Sequence, residues 1–132
     1  MGADALISSG SPWEPIIGYS RAVVAGNSVH VSGTTATIDG VVQHPGDAYG
    51  QTKVALQVIE RALVEAGVLL TDVVRTRVYL SASQYVDDAA RAHGEIFGDI
   101  RPATTLLAGV SFVDEAMLVE IEVDAYSTAL TA

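Results

Sequence analysis

The chain has no cysteine, which removes disulfides, thiolate metal ligands and thiol nucleophiles together. Cations are scarce: seven Lys and Arg stand against sixteen Asp and Glu, for a formal net charge of −9. Phosphate recognition draws on clustered Lys and Arg, so this balance speaks against nucleic acid as a partner. No apolar run reaches the roughly 18 residues of a membrane-spanning helix, and no membrane partner is expected. The start, "MGADALISSG", lacks the basic end and apolar middle of a signal peptide. With the missing cysteines this fits a cytoplasmic protein. There is no phosphate-cradling glycine loop, no nucleophile elbow and no metal-binding His pair at helical spacing. No internal repeat, low-complexity tract or linker appears, and residues 1–132 are expected to form one domain.

What is present is apolar. Hydrophobic residues make up 49% and charged residues 17% of the chain, a balance that suits subunits hiding surface in an oligomer. Residues 1–19, rich in Gly, Ser and Pro, read as an irregular arm. "SRAVVAGNSVHVSGTTA" reads as a β-hairpin turning at Gly26-Asn27, and "VVQ" after Asp39-Gly40 as a short added strand. "PGDAYGQTKVALQVIERALVEAG" is the clearest helix: Ala55, Val58, Ile59, Ala62, Leu63 and Ala66 form one stripe, with Asp47 as N-cap and Gly67 as stop. "DVVRTRVYL" alternates as a strand, with Val74, Thr76, Val78 and Leu80 on one face and Arg75, Arg77 and Tyr79 on the other. A second helix is expected from Ser81 and Gln84, at capping-box spacing, to Gly98. Strands "TTLLAGV" and "MLVEIEVDAY" close the chain.

The order is α+β, a mixed β-sheet with two helices on one face. The other face would carry Arg75, Arg77, Glu120, Glu122 and Asp124, and must meet water or other subunits. Glu120 and Glu122 project from that face at i, i+2. Paired carboxylates can supply a general base and a water-positioning group, but cross-strand pairing with Arg75 and Arg77 is the simpler expectation. His30, His44 and His93 are isolated and read as structural. Arg101-Pro102 reads as a helix stop, with Arg101 pushed to extended backbone by the proline.

Three stretches, "GYSRAVVAGNSVHVSGT", "AG…DVVRTRVYL" and "RPATTLLAGVSFVDEAMLVEIEVDAY", carry a resemblance. Together they make the chain similar to the Rid family, also called YjgF/YER057c/UK114, over nearly its whole length after about residue 14. The resemblance implies a chorismate-mutase-like fold. It also implies a homotrimer whose open sheet faces pack into a central β-barrel, with clefts between subunits. The best-known branch hydrolyses enamines and imines such as 2-aminoacrylate to a 2-keto acid and ammonia, without a metal or organic cofactor. Carried over by position, Glu120 is the water-placing catalytic residue, and Tyr19, Ser32, Gly33 and the backbone at Leu106 line the substrate. The arginine that holds the substrate carboxylate in that branch is here Thr104. An arginine–carboxylate contact contributes about 1.5–3 kcal/mol, so its loss costs roughly 10- to 150-fold in affinity.

Three residues of extended strand span about 10 Å and end on the opposite face, which sets Arg101 apart from Thr104. Arg21 and Arg77 are the other candidate cations for a cleft. The reading is a homotrimer binding a small metabolite between subunits and hydrolysing an enamine, imine or related bond. The alternative is a non-enzymatic binding or regulatory protein of the same fold.

Overall fold

The structure is a computed structural model in which residues 4–131 are described. The strands are β1 (Ala5–Ile7), β2 (Ala22–Ala25), β3 (Ser28–Thr35), β4 (Thr37–Ile38), β5 (Val41–Val42), β6 (Val73–Leu80), β7 (Ala103–Ala108) and β8 (Val119–Tyr126). The helices are α1 (Ala48–Ala66) and α2 (Val86–Phe97). Six strands form one mixed sheet in the order β1-β2-β3-β8-β6-β7, parallel only between β6 and β7, and β4 and β5 make a separate hairpin. The α+β architecture with both helices against one sheet face is the expected one.

Each well-anticipated element has a local cause. The Asp47 side chain accepts from the Gly50 N–H at 2.9 Å, and Gly67 ends α1 with φ 95°, a left-handed backbone that favours glycine. Between these caps Ala55, Leu56, Ile59 and Leu63 are buried against Val29, Val31, Val78, Ile121 and Val123 of the sheet. Each such large aliphatic side chain contributes about 1.5–3 kcal/mol by leaving water. The turn at Gly26-Asn27 joins β2 to β3 as anticipated.

Three expectations need correction. The arm is not irregular throughout: β1 pairs with β2, and a helical turn covers Glu14–Gly18. Glu14 is buried and accepts from the Ser9 N–H and hydroxyl at 3.0 and 2.7 Å, which fixes the arm; residues 1–3 lie outside the described residues. The short strand expected at "VVQ" is β5, in the small hairpin. Helix α2 starts at Val86, after a short turn over Ser83–Tyr85 and without a side-chain cap; Asp87 and Asp88 in its first turn complement the helix dipole instead. In β6 the register against β8 shifts between Val73 and Arg75. Val73 therefore takes the core position, and Val74 is 51% exposed.

On β8, Val119, Ile121, Val123 and Ala125 are buried, while Glu120, Glu122 and Asp124 lie on the open face. There Tyr79 Oη donates to Glu122 Oε1 at 2.6 Å, and Arg77 Nη1 lies 3.3 Å from Asp124 and 3.7 Å from Glu122. Among the described residues no helix is long and apolar enough to cross a membrane.

Candidate functional site

Strand β3 bulges next to β8. Val31 pairs with Val123 and Thr34 with Ile121, so Ser32 and Gly33 together oppose one residue, Glu122. A bulge of this kind leaves groups without ladder partners and re-aims its neighbours. Here the guanidinium of Arg21 takes up those groups. Its Nη1 donates to Ser32 O at 3.2 Å, Gly33 O at 2.7 Å and Thr34 Oγ1 at 2.6 Å. Nη2 reaches the Tyr19 hydroxyl at 3.4 Å, and the guanidinium carbon lies 5.6 Å from the Tyr19 ring centre. Ser32 is fixed as well: its hydroxyl donates to Ser20 O at 2.6 Å and its N–H to Arg21 O at 2.9 Å.

Gly33 leaves the space in which Glu120 lies. A Cβ at position 33 would stand 2.9 Å from Glu120 Cδ, so only glycine lets the carboxylate cross the bulge in this position. Glu120 is half-buried and, among the described residues, its side chain has no hydrogen-bond or ion-pair partner. Burial raises its pKa above the usual carboxylate range; the Arg21 charge opposes the rise and Glu122 adds to it. The cross-strand pairing expected for both glutamates holds for Glu122 alone, whose partners are Arg77 and Tyr79. A carboxylate left unpaired, with its pKa moved toward neutrality, is suited to accept a proton from water. The structure thus gathers Tyr19, Ser32, Gly33 and Glu120 around Arg21.

Thr104 and Leu106 stand elsewhere, on the edge strand β7. Leu106 packs its side chain on the core and has only backbone to offer. Thr104 Oγ1 is 2.8 Å from Thr76 Oγ1, which is 2.8 Å from His93 Nε2, and the Thr104 hydroxyl also reaches Pro102 O at 3.2 Å. Burial lowers the His93 pKa and keeps the ring neutral. Thr76 is fully buried on the helix side of the sheet, so Thr104 beside it faces that side, while Glu120 faces the open side. The two groups of residues do not meet within one chain.

His93, Gly94, Phe97, Arg101, Pro102 and Thr104 line a cleft of about 460 Å³ between α2 and the β7 edge. Arg101 is not in the extended backbone anticipated before proline. Its φ is 60°, and its N–H bonds to Phe97 O at 2.8 Å, wrapping the end of α2. The tight turn overrides the pre-proline preference, at a cost of about 1–3 kcal/mol for a non-glycine residue. Strand spacing therefore does not apply between residues 101 and 104, and Arg101 lines the same cleft as Thr104. The sequence contained a signal for this second group. Thr76 is a polar residue at a core-facing strand position, and His93 falls beside Phe97 on the buried side of α2, with ring centres 4.8 Å apart. Among the described residues no group of three or more His, Asp or Glu converges to hold a metal.

A family model described as Endoribonuclease L-PSP matches residues 10–127. An uncharacterized protein of Streptomyces coelicolor is 47% identical over 124 residues, covering 94% of this chain and 92% of that one. The 3-aminoacrylate deaminase RutC of Acinetobacter baylyi is 31% identical over 122 residues, covering 92% and 95%. A crystal structure from Mycobacterium tuberculosis, of a member of the YjgF/YER057c/UK114 family, superposes with a TM-score of 0.84 at 42% identity, covering 93% of this chain and 98% of that one.

Proposed function

Because the chain belongs to the YjgF/YER057c/UK114 family, the one its L-PSP match describes, we propose that it binds a small metabolite in clefts between subunits of a homotrimer and hydrolyses an enamine, imine or related bond there. The observation that carries this reading is Glu120: half-buried, unpaired, and held over Gly33 beside Arg21. In the reaction, water adds to the carbon of a C=N bond while Glu120 accepts a water proton. Proton transfer to nitrogen then expels ammonia and leaves a carbonyl compound. Only a positioned water and proton transfers are required. Tyr19 and the Ser32-Gly33 bulge, fastened by Arg21, form one wall of the cleft, and the β7 edge of a neighbouring subunit, with Thr104 and the Leu106 backbone, forms the other.

The assay uses freshly generated 2-aminoacrylate and, because one relative is named for it, 3-aminoacrylate. Wild type is expected to accelerate hydrolysis of at least one, and Glu120→Gln to lower the rate about 10²- to 10⁴-fold. An unchanged rate in Glu120→Gln would remove Glu120 from the mechanism. A second reading, a binding or regulatory protein with the same cleft, is favoured by Thr104 standing where the deaminating branch has its arginine. Mass spectrometry separates the two, since a ligand recovered unaltered after saturating the protein supports binding alone. Ribonuclease action is disfavoured by the net charge of −9, and RNA affinity at physiological salt would reverse that judgement.

A further inference from the structure

Arg21 is 8% exposed, and among the described residues no carboxylate lies within ion-pair distance of it. A cation taken out of water without such a partner is strongly disfavoured, and the chain has only seven Lys and Arg to place. The hydrogen bonds of Arg21 account for the shape of the bulge. Nη1 donates to Ser32 O, Gly33 O and Thr34 Oγ1, and Nη2 to the Tyr19 hydroxyl. They do not account for the charge, since a neutral amide also donates to carbonyls. On the open face Glu122 and Asp124 are taken by Arg77, and Tyr79 donates to Glu122. The Glu120 carboxylate, unpaired among the described residues, is the one that crosses the bulge Arg21 holds.

We propose that Arg21 is a positioning residue for Glu120, holding the bulge beneath the carboxylate with one nitrogen and answering the carboxylate's charge with its own. Gly33 joins the two side chains in space. Its carbonyl accepts from Arg21 Nη1 at 2.7 Å, and a Cβ on it would stand 2.9 Å from Glu120 Cδ. Arginine suits both tasks, because a guanidinium stays charged when buried and its fork reaches several acceptors. The other groups around Glu120 do not supply this charge. Glu122, on the same strand, disfavours the ionised carboxylate, as burial does. Tyr79 of β6, paired with Glu120, is tied to Glu122. Thr35 of β3, its other neighbour, is uncharged, with its hydroxyl 2.7 Å from that of Thr37. Arg21 is the cation that favours ionisation. Burial outweighs it, but without it the carboxyl would rise further and hold its proton over more of the neutral range. The ionised form is the one that accepts a proton from water. This catalytic consequence rests on the reading of Glu120 as the base; the coupling of the two side chains does not.

The test is an NMR pH titration of the full chain, labelled with ¹³C and ¹⁵N, following the Glu120 carboxyl carbon and the Arg21 Nε. In wild type the two signals should move with a common midpoint, and in Glu120→Gln the step at Arg21 should vanish. Arg21→Gln should carry the Glu120 midpoint to higher pH, because loss of the cation disfavours the ionised carboxylate. Arg21→Lys keeps the charge and should return the midpoint toward that of wild type. The acid limb of kcat/KM for 2-aminoacrylate should follow the midpoint in each variant. A purely structural arginine would shift the Gly33 and Thr34 amides in both variants and show no rescue by lysine. The proposal is overturned if the wild-type Arg21 Nε shows no step at the Glu120 midpoint, or if Glu120 in Arg21→Gln titrates at or below the wild-type pH. The first measurement needs only wild type and Glu120→Gln, so it decides the matter even where Arg21→Gln does not fold. Neither titration contains substrate. A chain without hydrolytic activity leaves them intact, and their failure leaves the Glu120 assay intact.

Discussion

At the scale of single residues, Glu120 and Gly33 act as a unit. A carboxyl whose pKa is higher in the fold than in the unfolded chain binds its proton more tightly when folded. Its contribution to stability is then complete below the unfolded value, about 4.3, and is lost as pH rises through the folded value. Burial places Glu120 in this class. Glu120→Gln should therefore stabilise the protein near neutral pH, and the gain should close as pH falls to about 4; urea midpoints of both proteins across that range measure it. A constant difference would mean that Glu120 ionises as an ordinary surface glutamate. Gly33→Ala sets a Cβ 2.9 Å from Glu120 Cδ. The clash falls on the far end of a flexible side chain, so the carboxylate swings away and the β-strand stays. Activity should drop by at least tenfold while the denaturation midpoint moves little, and a large loss of stability with retained specific activity would contradict this account.

At the scale of elements, α2 carries a glycine in its interior, where glycine costs about 1 kcal/mol relative to alanine. A Cβ on Gly94 would meet nothing within 4 Å and would project toward the cleft it lines. Gly94→Ala should accordingly stabilise the protein by about 0.5–1 kcal/mol, read from chemical denaturation. The elements whose causes are local were legible in the sequence. Helix α1 has a cap, a stripe and a stop within one segment, and β8 alternates without interruption. What escaped the sequence depends on partners distant along the chain. The exposed Val74 follows from the register β6 takes against β8, and the bond between Thr76 and His93 joins a strand to a helix seventeen residues on. Arg101 departs from the local preference before proline because the end of α2 controls its backbone. The Glu120 position was legible, but its lack of a partner was not, since that required knowing that Tyr79 and Arg77 turn to Glu122.

At the scale of the whole molecule, one chain keeps Glu120 and Thr104 apart. Glu120 faces the open side of the sheet and Thr104 the helix side, so a cleft using both needs a second copy. The chain also presents surface that suits such a copy. Among the described residues the edge strand β7 has an unpaired backbone side, and Leu107, paired with Tyr79 on the open face, is 51% exposed. Sedimentation equilibrium should give three times the 13.7 kDa chain mass, and Leu107→Asp should shift the protein toward monomer; a wild-type monomer at micromolar concentration would end the inter-subunit reading.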